Sequence, residues 1–210
     1  MITDTIQSYG NIIAKVISAV FHPLLMPVYG LLIVLSAPSL FGYLPIQVKK
    51  ILFLIVLTDN VVLPLSLLPW FRYRNIISSW VVSERKERIM LLLATSFFYS
   101  ITVYIVMRFH IPVFIKSFIF TAALLSIAVT IINFWYKISI HSAGIGAVIS
   151  LVIILSVKMH TPLTYFIIGA VFSAGLIMTS RLWLNSHKPG EVWTGLILGI
   201  LLSGLILSFF

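Results

Sequence analysis

The chain is expected to fold as an all-α, polytopic transmembrane helical bundle of six to seven spans, preceded by an amphipathic N-terminal helix. Three observations carry that expectation. Of its 210 residues, 60% are hydrophobic and only 9% charged, and the mean hydropathy is +1.14, whereas a soluble domain carries about a quarter charged residues. The apolar residues are gathered into seven runs, most of them close to the ~20 residues that a bilayer core requires. Backbone polar groups at that depth need partners within their own segment, which makes each run a helix. No polar stretch is long enough to own a core, so residues 1–210 read as one integral membrane domain.

Residues 1–18 place Ile6, Ile12, Ile13, Val16 and Ile17 among polar residues, the pattern of a helix lying on a membrane surface. The segment carries Asp4 and no basic residue before Gly10, unlike a cleaved signal peptide. The first span runs from Val20 to about Ser36 and is broken by Pro23 and Pro27. The second, roughly Ile51 to Trp70, follows Lys49 and Lys50 and carries Asp59 and Asn60 near its middle, close to Pro64. Polar groups there need a partner, and an interhelical hydrogen bond is the simplest one. The third span covers about Ile89 to Met107, the fourth Val113 to Tyr136, the fifth Ala143 to Val157, the sixth Leu163 to Thr179 and the seventh Val192 to Phe210. Trp70, Tyr73, Trp135, Tyr136 and Trp193 fall at span boundaries, where amphipathic rings anchor.

The charge is strongly positive, +9 from 14 Lys and Arg against 5 Asp and Glu. In so apolar a chain this excess points to loops facing anionic headgroups and to an anionic substrate, with membrane lipids as partners and no nucleic acid. The absence of cysteine excludes a disulfide framework, a thiol nucleophile and a cysteine metal site. No Asp, Glu and His cluster has metal-ligand spacing, so no cofactor is implied.

Counting spans places three polar junctions on one membrane face, because each is separated from the next by two spans. They are Arg72–Arg88, Tyr136–Ser142 and Ser180–Glu191. The turns Arg108–Pro112 and Lys158–Pro162, with His110 and His160, belong to the other face; His22 falls on the first. The third junction gathers Ser180, Arg181, His187, Lys188 and Glu191 within twelve residues. His187 and Glu191 are four apart and share a helical face, so they can hydrogen-bond. An arginine fork, a hydroxyl and a carboxylate-oriented histidine suit an anionic, phosphorylated group. In the second junction, Lys137, Ser139 and His141 lie near a helix N-terminus, where free N–H groups favour an anion. The first offers Arg85, Lys86 and Arg88 beside Glu84 and Glu87, equally consistent with a solvated charge run. Two histidines point beyond binding to chemistry.

Ser180-Arg181, five residues, His187, three residues and Glu191 resemble the third motif of the type 2 phosphatidic acid phosphatase superfamily, Ser-Arg-x5-His-x3-Asp. Lys137-x-Ser139-x-His141 resembles its second, Pro-Ser-Gly-His, and the cluster Arg85, Lys86, Arg88 stands where its first, Lys-x6-Arg-Pro, would fall. The resemblance covers about residues 83–191, and the chain is similar to a divergent bacterial-type member. It implies a metal-independent membrane lipid phosphatase acting on a lipid phosphomonoester or diphosphate. His187 would form a phosphohistidine, Glu191 would orient it, and His141 would serve as general acid and base. Arg181, Ser180, Ser139, Lys137 and a basic residue among Arg85, Lys86 and Arg88 would hold the phosphoryl oxygens. Three departures stand out. Glu191 replaces aspartate, Ile138 and Ile140 replace proline and glycine, and no lysine lies seven before an arginine in the first motif. A lipid phosphotransferase using the same site and a non-catalytic lipid-binding protein are the alternatives. The resemblance implies a bacterial inner membrane; the positive-inside rule places the polar face in the cytoplasm, while the resemblance places it outside.

Overall fold

The structure is a computed structural model that describes residues 2–76 and 85–209, with side chains described for residues 7–76 and 87–209. The side chains of Arg85 and Lys86, and Glu84 with them, therefore lie outside the described residues. The helices are α1 (Ile2–Val20), α2 (Met26–Ser36), α3 (Ile46–Leu57), α4 (Leu63–Tyr73), α5 (Arg85–Met107), α6 (Val113–Asn133), α7 (Ile140–Lys158), α8 (Thr164–Trp183) and α9 (Pro189–Phe209). Among the described residues there is no strand. Among the described residues, seven stretches are long and apolar enough to cross a membrane, from Gln7–Ser36 through Pro189–Phe209. The chain is thus a multi-pass, all-helical bundle with an N-terminal helix.

The first stretch is not one straight helix. His22 leaves the helical region, with φ −63° and ψ 139°, immediately before Pro23, which starts a single 3-10 turn, Pro23–Leu25. A residue before proline is sterically pushed out of the α region, and this ends α1. From Ser18 to Asn11, α1 moves seven positions while its contacts on α8 move two, from Arg181 to Trp183. Helix α1 therefore packs against the C-terminal end of α8. Its inward face carries Ala14 and Ser18, both buried; Tyr9, Ile12, Ile13, Val16 and Val20 are exposed on the other.

Helices α3 and α4 are joined by a π turn, Thr58–Val62, that contains the buried Asp59 and Asn60. Both meet Thr102 Oγ1 of α5, at 3.4 Å from Asp59 Oδ2 and 2.9 Å from Asn60 Oδ1. These mid-span groups are met by the interhelical contact their cost in lipid demands. Ser96 of α5 similarly contacts Ser126 and Thr130 of α6, each at 2.9 Å.

The closest helix pair sets the site. Helix α9 faces α7 with Gly195, Gly199 and the fully buried Ser203, a small residue every fourth position. A Cβ on Gly199 would run into the carbonyl of Ala143, and one on Gly195 into the carbonyl of Ser139; Gly146 of α7 lies against Leu196 and Gly199. Without side chains between them the two backbones approach closely, as small-residue faces allow in membranes. The approach brings the starts of α7 and α9 together, and Ser139 N–H donates to the carbonyl of Glu191 at 3.0 Å.

Candidate active site

Described residues from all three polar junctions meet at one end of the bundle. Arg88, in the first turns of α5, donates to Asn133 Oδ1 at the end of α6 and to the carbonyl of Ile138 at 2.9 Å. Lys137 Nζ reaches from the α6–α7 loop to the carbonyl of Ser186 in the α8–α9 loop, at 2.9 Å. Ile138, fully buried, fastens the α6–α7 loop to the core beside Leu92, Val129 and Ala143.

A cavity of about 700 Å³ opens beneath these junctions. That is the size of a pocket for a small ligand or part of a larger one. Its polar end is lined by His22, Arg88, Lys137, His141, Arg181 and His187. Leu91, Leu92, Leu125, Val129, Ala147 and Val148 continue it into the bundle. One chamber therefore offers cations and imidazoles at the membrane boundary and hydrocarbon below.

His187 stands in the loop just ahead of α9. Its Nδ1 lies 2.8 Å from Glu191 Oε2, and the same oxygen accepts the Lys188 N–H at 3.3 Å. A carboxylate accepts hydrogen bonds, so the proton of the neutral ring sits on Nδ1 and Nε2 carries the lone pair. The His187 side chain is only 5% exposed. Burial, and after it the charges of Arg181, Arg88 and Lys137, push its ring well below the usual histidine range; the bond to Glu191 opposes them. A neutral ring at pH 7 with a bare Nε2 is the state a nitrogen nucleophile needs.

His141, in the first turn of α7, faces the same cavity. Its Nε2 is 3.2 Å from the carbonyl oxygen of Ser18. Arg181, in the last turn of α8, donates from a terminal nitrogen to Ser18 Oγ at 3.4 Å, and its buried Nε has no hydrogen-bond partner among the described residues. The guanidinium thus keeps most of its five donors for an anion. The starts of α7 and α9 both face this end, and their free N–H groups add positive potential.

Of the residues singled out from sequence, Arg88, Lys137, His141, Arg181 and His187 line the cavity, and Glu191 stands behind His187. Ser139 and Ser180 do not reach it. Ser139 is fully buried at the N-cap of α7, where its hydroxyl accepts from Ser142 N at 3.4 Å and from Ser142 Oγ at 3.0 Å. Ser180 is 3% exposed and donates to the carbonyl of Leu176 at 2.7 Å. Both hydroxyls serve their own helices, and a serine just ahead of a helix is a ready N-cap. Arg85 and Lys86 fall outside the described side chains.

Two groups escaped the sequence reading: Asn133 fixes Arg88, and Ser18 contacts both His141 and Arg181. Nothing local marks either. His22, which span counting set on the polar face, places its ring centroid 5.8 Å from that of His141. Compared with known proteins, the chain matches no family model, no curated protein and no solved structure.

Proposed function

We propose that the chain is a membrane lipid phosphatase, hydrolysing a lipid phosphomonoester or diphosphate through a phosphohistidine on His187, in a bacterial inner membrane. The single observation that carries this reading is the pairing of His187 Nδ1 with Glu191, which leaves Nε2 bare in a chamber lined by Arg88, Lys137, Arg181 and His141. The apolar continuation of that chamber suits an acyl or prenyl chain attached to the phosphate.

In the first step the Nε2 lone pair of His187 attacks phosphorus and the bond to the leaving oxygen breaks. His141, protonated, gives its proton to that oxygen. The new N–P bond leaves a cationic ring, which the Glu191 carboxylate stabilises through Nδ1–H. Arg181, Arg88 and Lys137 hold the non-bridging oxygens as charge builds on them. In the second step His141, now neutral, takes a proton from water as its oxygen attacks phosphorus. The P–N bond breaks, its electrons return to Nε2, and inorganic phosphate leaves. Neither step needs the Ser139 or Ser180 hydroxyl.

The experiment is phosphate release by purified protein from phosphatidic acid, phosphatidylglycerol phosphate and a polyprenyl diphosphate, with a lipid acceptor added in parallel. Release to water supports a phosphatase, and transfer to the acceptor makes it a phosphotransferase. No turnover and no vanadate binding would leave a non-catalytic lipid-binding protein.

A further inference from the structure

The amphipathic helix α1 lies outside every motif, yet its last turn ends on the proposed acid. The His22 N–H bonds the carbonyl of Ala19 at 3.3 Å and the Phe21 N–H that of Ile17 at 2.9 Å, so the Ser18 carbonyl between them is passed over. Such carbonyls are left unpaired at every helix end. Here the break is imposed by Pro23, and the orphaned oxygen is taken up by His141 Nε2 at 3.2 Å.

We infer that the C-terminus of α1 is a positioning device for His141, doing for it what Glu191 does for His187, and that Ser18 is its principal residue. A carbonyl oxygen only accepts, so the His141 proton that faces it is fixed on Nε2 in both charge states of the ring. The atom left to give and take protons is Nδ1. The C-terminal end of a helix carries a partial negative charge, which at this ring partly offsets the positive charge of the facing Arg181. The same residue uses its hydroxyl to accept from Arg181, so one turn of α1 aligns the acid and the phosphate clamp together. The opposite face of α1 exposes Tyr9, Ile12, Ile13, Val16 and Val20, so the positioning element also presents an apolar face to its surroundings.

The roles of acid and clamp rest on the phosphatase reading; the tautomer does not. The full-length protein is labelled with 15N-histidine in lipid nanodiscs, and the His141 signals are assigned by their loss in His141→Gln. At a pH where the ring is neutral, a proton on Nε2 and a bare Nδ1 are expected. A proton on Nδ1, or rapid averaging over both nitrogens, overturns the inference whatever the activity. Pro23→Ala is the second arm, because it lets His22 become helical and bond its N–H to the Ser18 carbonyl. Averaged tautomers are expected, with kcat roughly tenfold lower and KM nearly unchanged, as for a misaligned proton donor. An unchanged tautomer and kcat in Pro23→Ala would overturn it too. Ser18→Ala, which removes only the hydroxyl, is expected to raise KM a few-fold through Arg181 and leave the tautomer intact. If wild type holds the Nε2–H tautomer but releases phosphate from no lipid, the phosphatase reading falls and the positioning contact stands.

Discussion

The two histidines of the site are held in opposite ways. His187 is oriented by Glu191, four residues away, through Nδ1. His141 is oriented by the backbone of Ser18, more than a hundred residues away in sequence, through Nε2. The first partner is a side chain that local spacing exposes, and it leaves Nε2 free for the proposed attack. The second is a carbonyl, present in every residue, and it leaves Nδ1 free for the proposed proton transfer. A nucleophile that becomes cationic on phosphorylation gains from a full negative charge beside it. An acid that must cycle between two protonation states is served by the weaker partial charge of a helix end.

The largest expected effect breaks the comparison outright. His187→Ala removes the proposed nucleophile and is expected to lower phosphate release by at least about 10³-fold, as loss of a catalytic nucleophile does elsewhere. His141→Ala behaves differently if the roles are distinct. With an aryl phosphate, whose leaving group needs no acid, it should still form the phosphoenzyme and then stall. A burst of phenol with no steady turnover is the signature; equal loss of both phases would merge the two roles.

Glu191→Gln keeps the side-chain shape and removes the charge. The analogous change behind a catalytic histidine costs up to about 10⁴ in kcat, and a loss of about 10²-fold or more is expected here, with Glu191→Asp falling between Gln and wild type. The same variant sharpens the pH dependence. Burial and nearby cations lower the His187 ring, so in wild type it stays neutral as pH falls past about 6.5. The acid limb of kcat/KM should therefore lie below that value. Glu191 is the influence that raises the ring, so Glu191→Gln should move the limb further down. A limb at or above the ordinary histidine range would show that the ring is solvated.

The smallest expected effect per atom tests both histidines at once. Gly199→Ala places a methyl against the carbonyl of Ala143, and the backbones of α7 and α9 must part. A loss of about 1–3 kcal/mol is expected, read as lower thermal stability in detergent. Turnover should fall with it, because the Ser139 to Glu191 contact depends on that approach. A variant as stable and as active as wild type would sever the link between helix packing and site geometry.

Much of the fold was legible from the chain. The seven apolar runs correspond to the seven stretches that qualify as spans, and the polar face follows from counting them. The amphipathic N-terminal helix was legible in the spacing of Ile12, Ile13 and Val16. Legibility failed where a side chain had two uses. Ser139 and Ser180 carry hydroxyls suited to phosphate, but backbone groups nearby in the chain claim them first. Asp59 and Asn60 announced that they needed a partner without saying which; Thr102 is the partner because α5 passes the π turn.

By itself the sequence determined that this chain is a helical membrane bundle, that His187 and Glu191 share a face, and which junctions lie at which end. Those properties follow from hydrophobicity, helical periodicity and parity, which are local or additive. The tertiary structure alone decided that α7 and α9 touch through Gly195 and Gly199, that Asn133 takes Arg88, and that the orphaned carbonyl of Ser18 turns His141. These depend on helix approach and on backbone groups freed by a break. A backbone carbonyl has the same identity at every position, so only its place in the fold gives it a function.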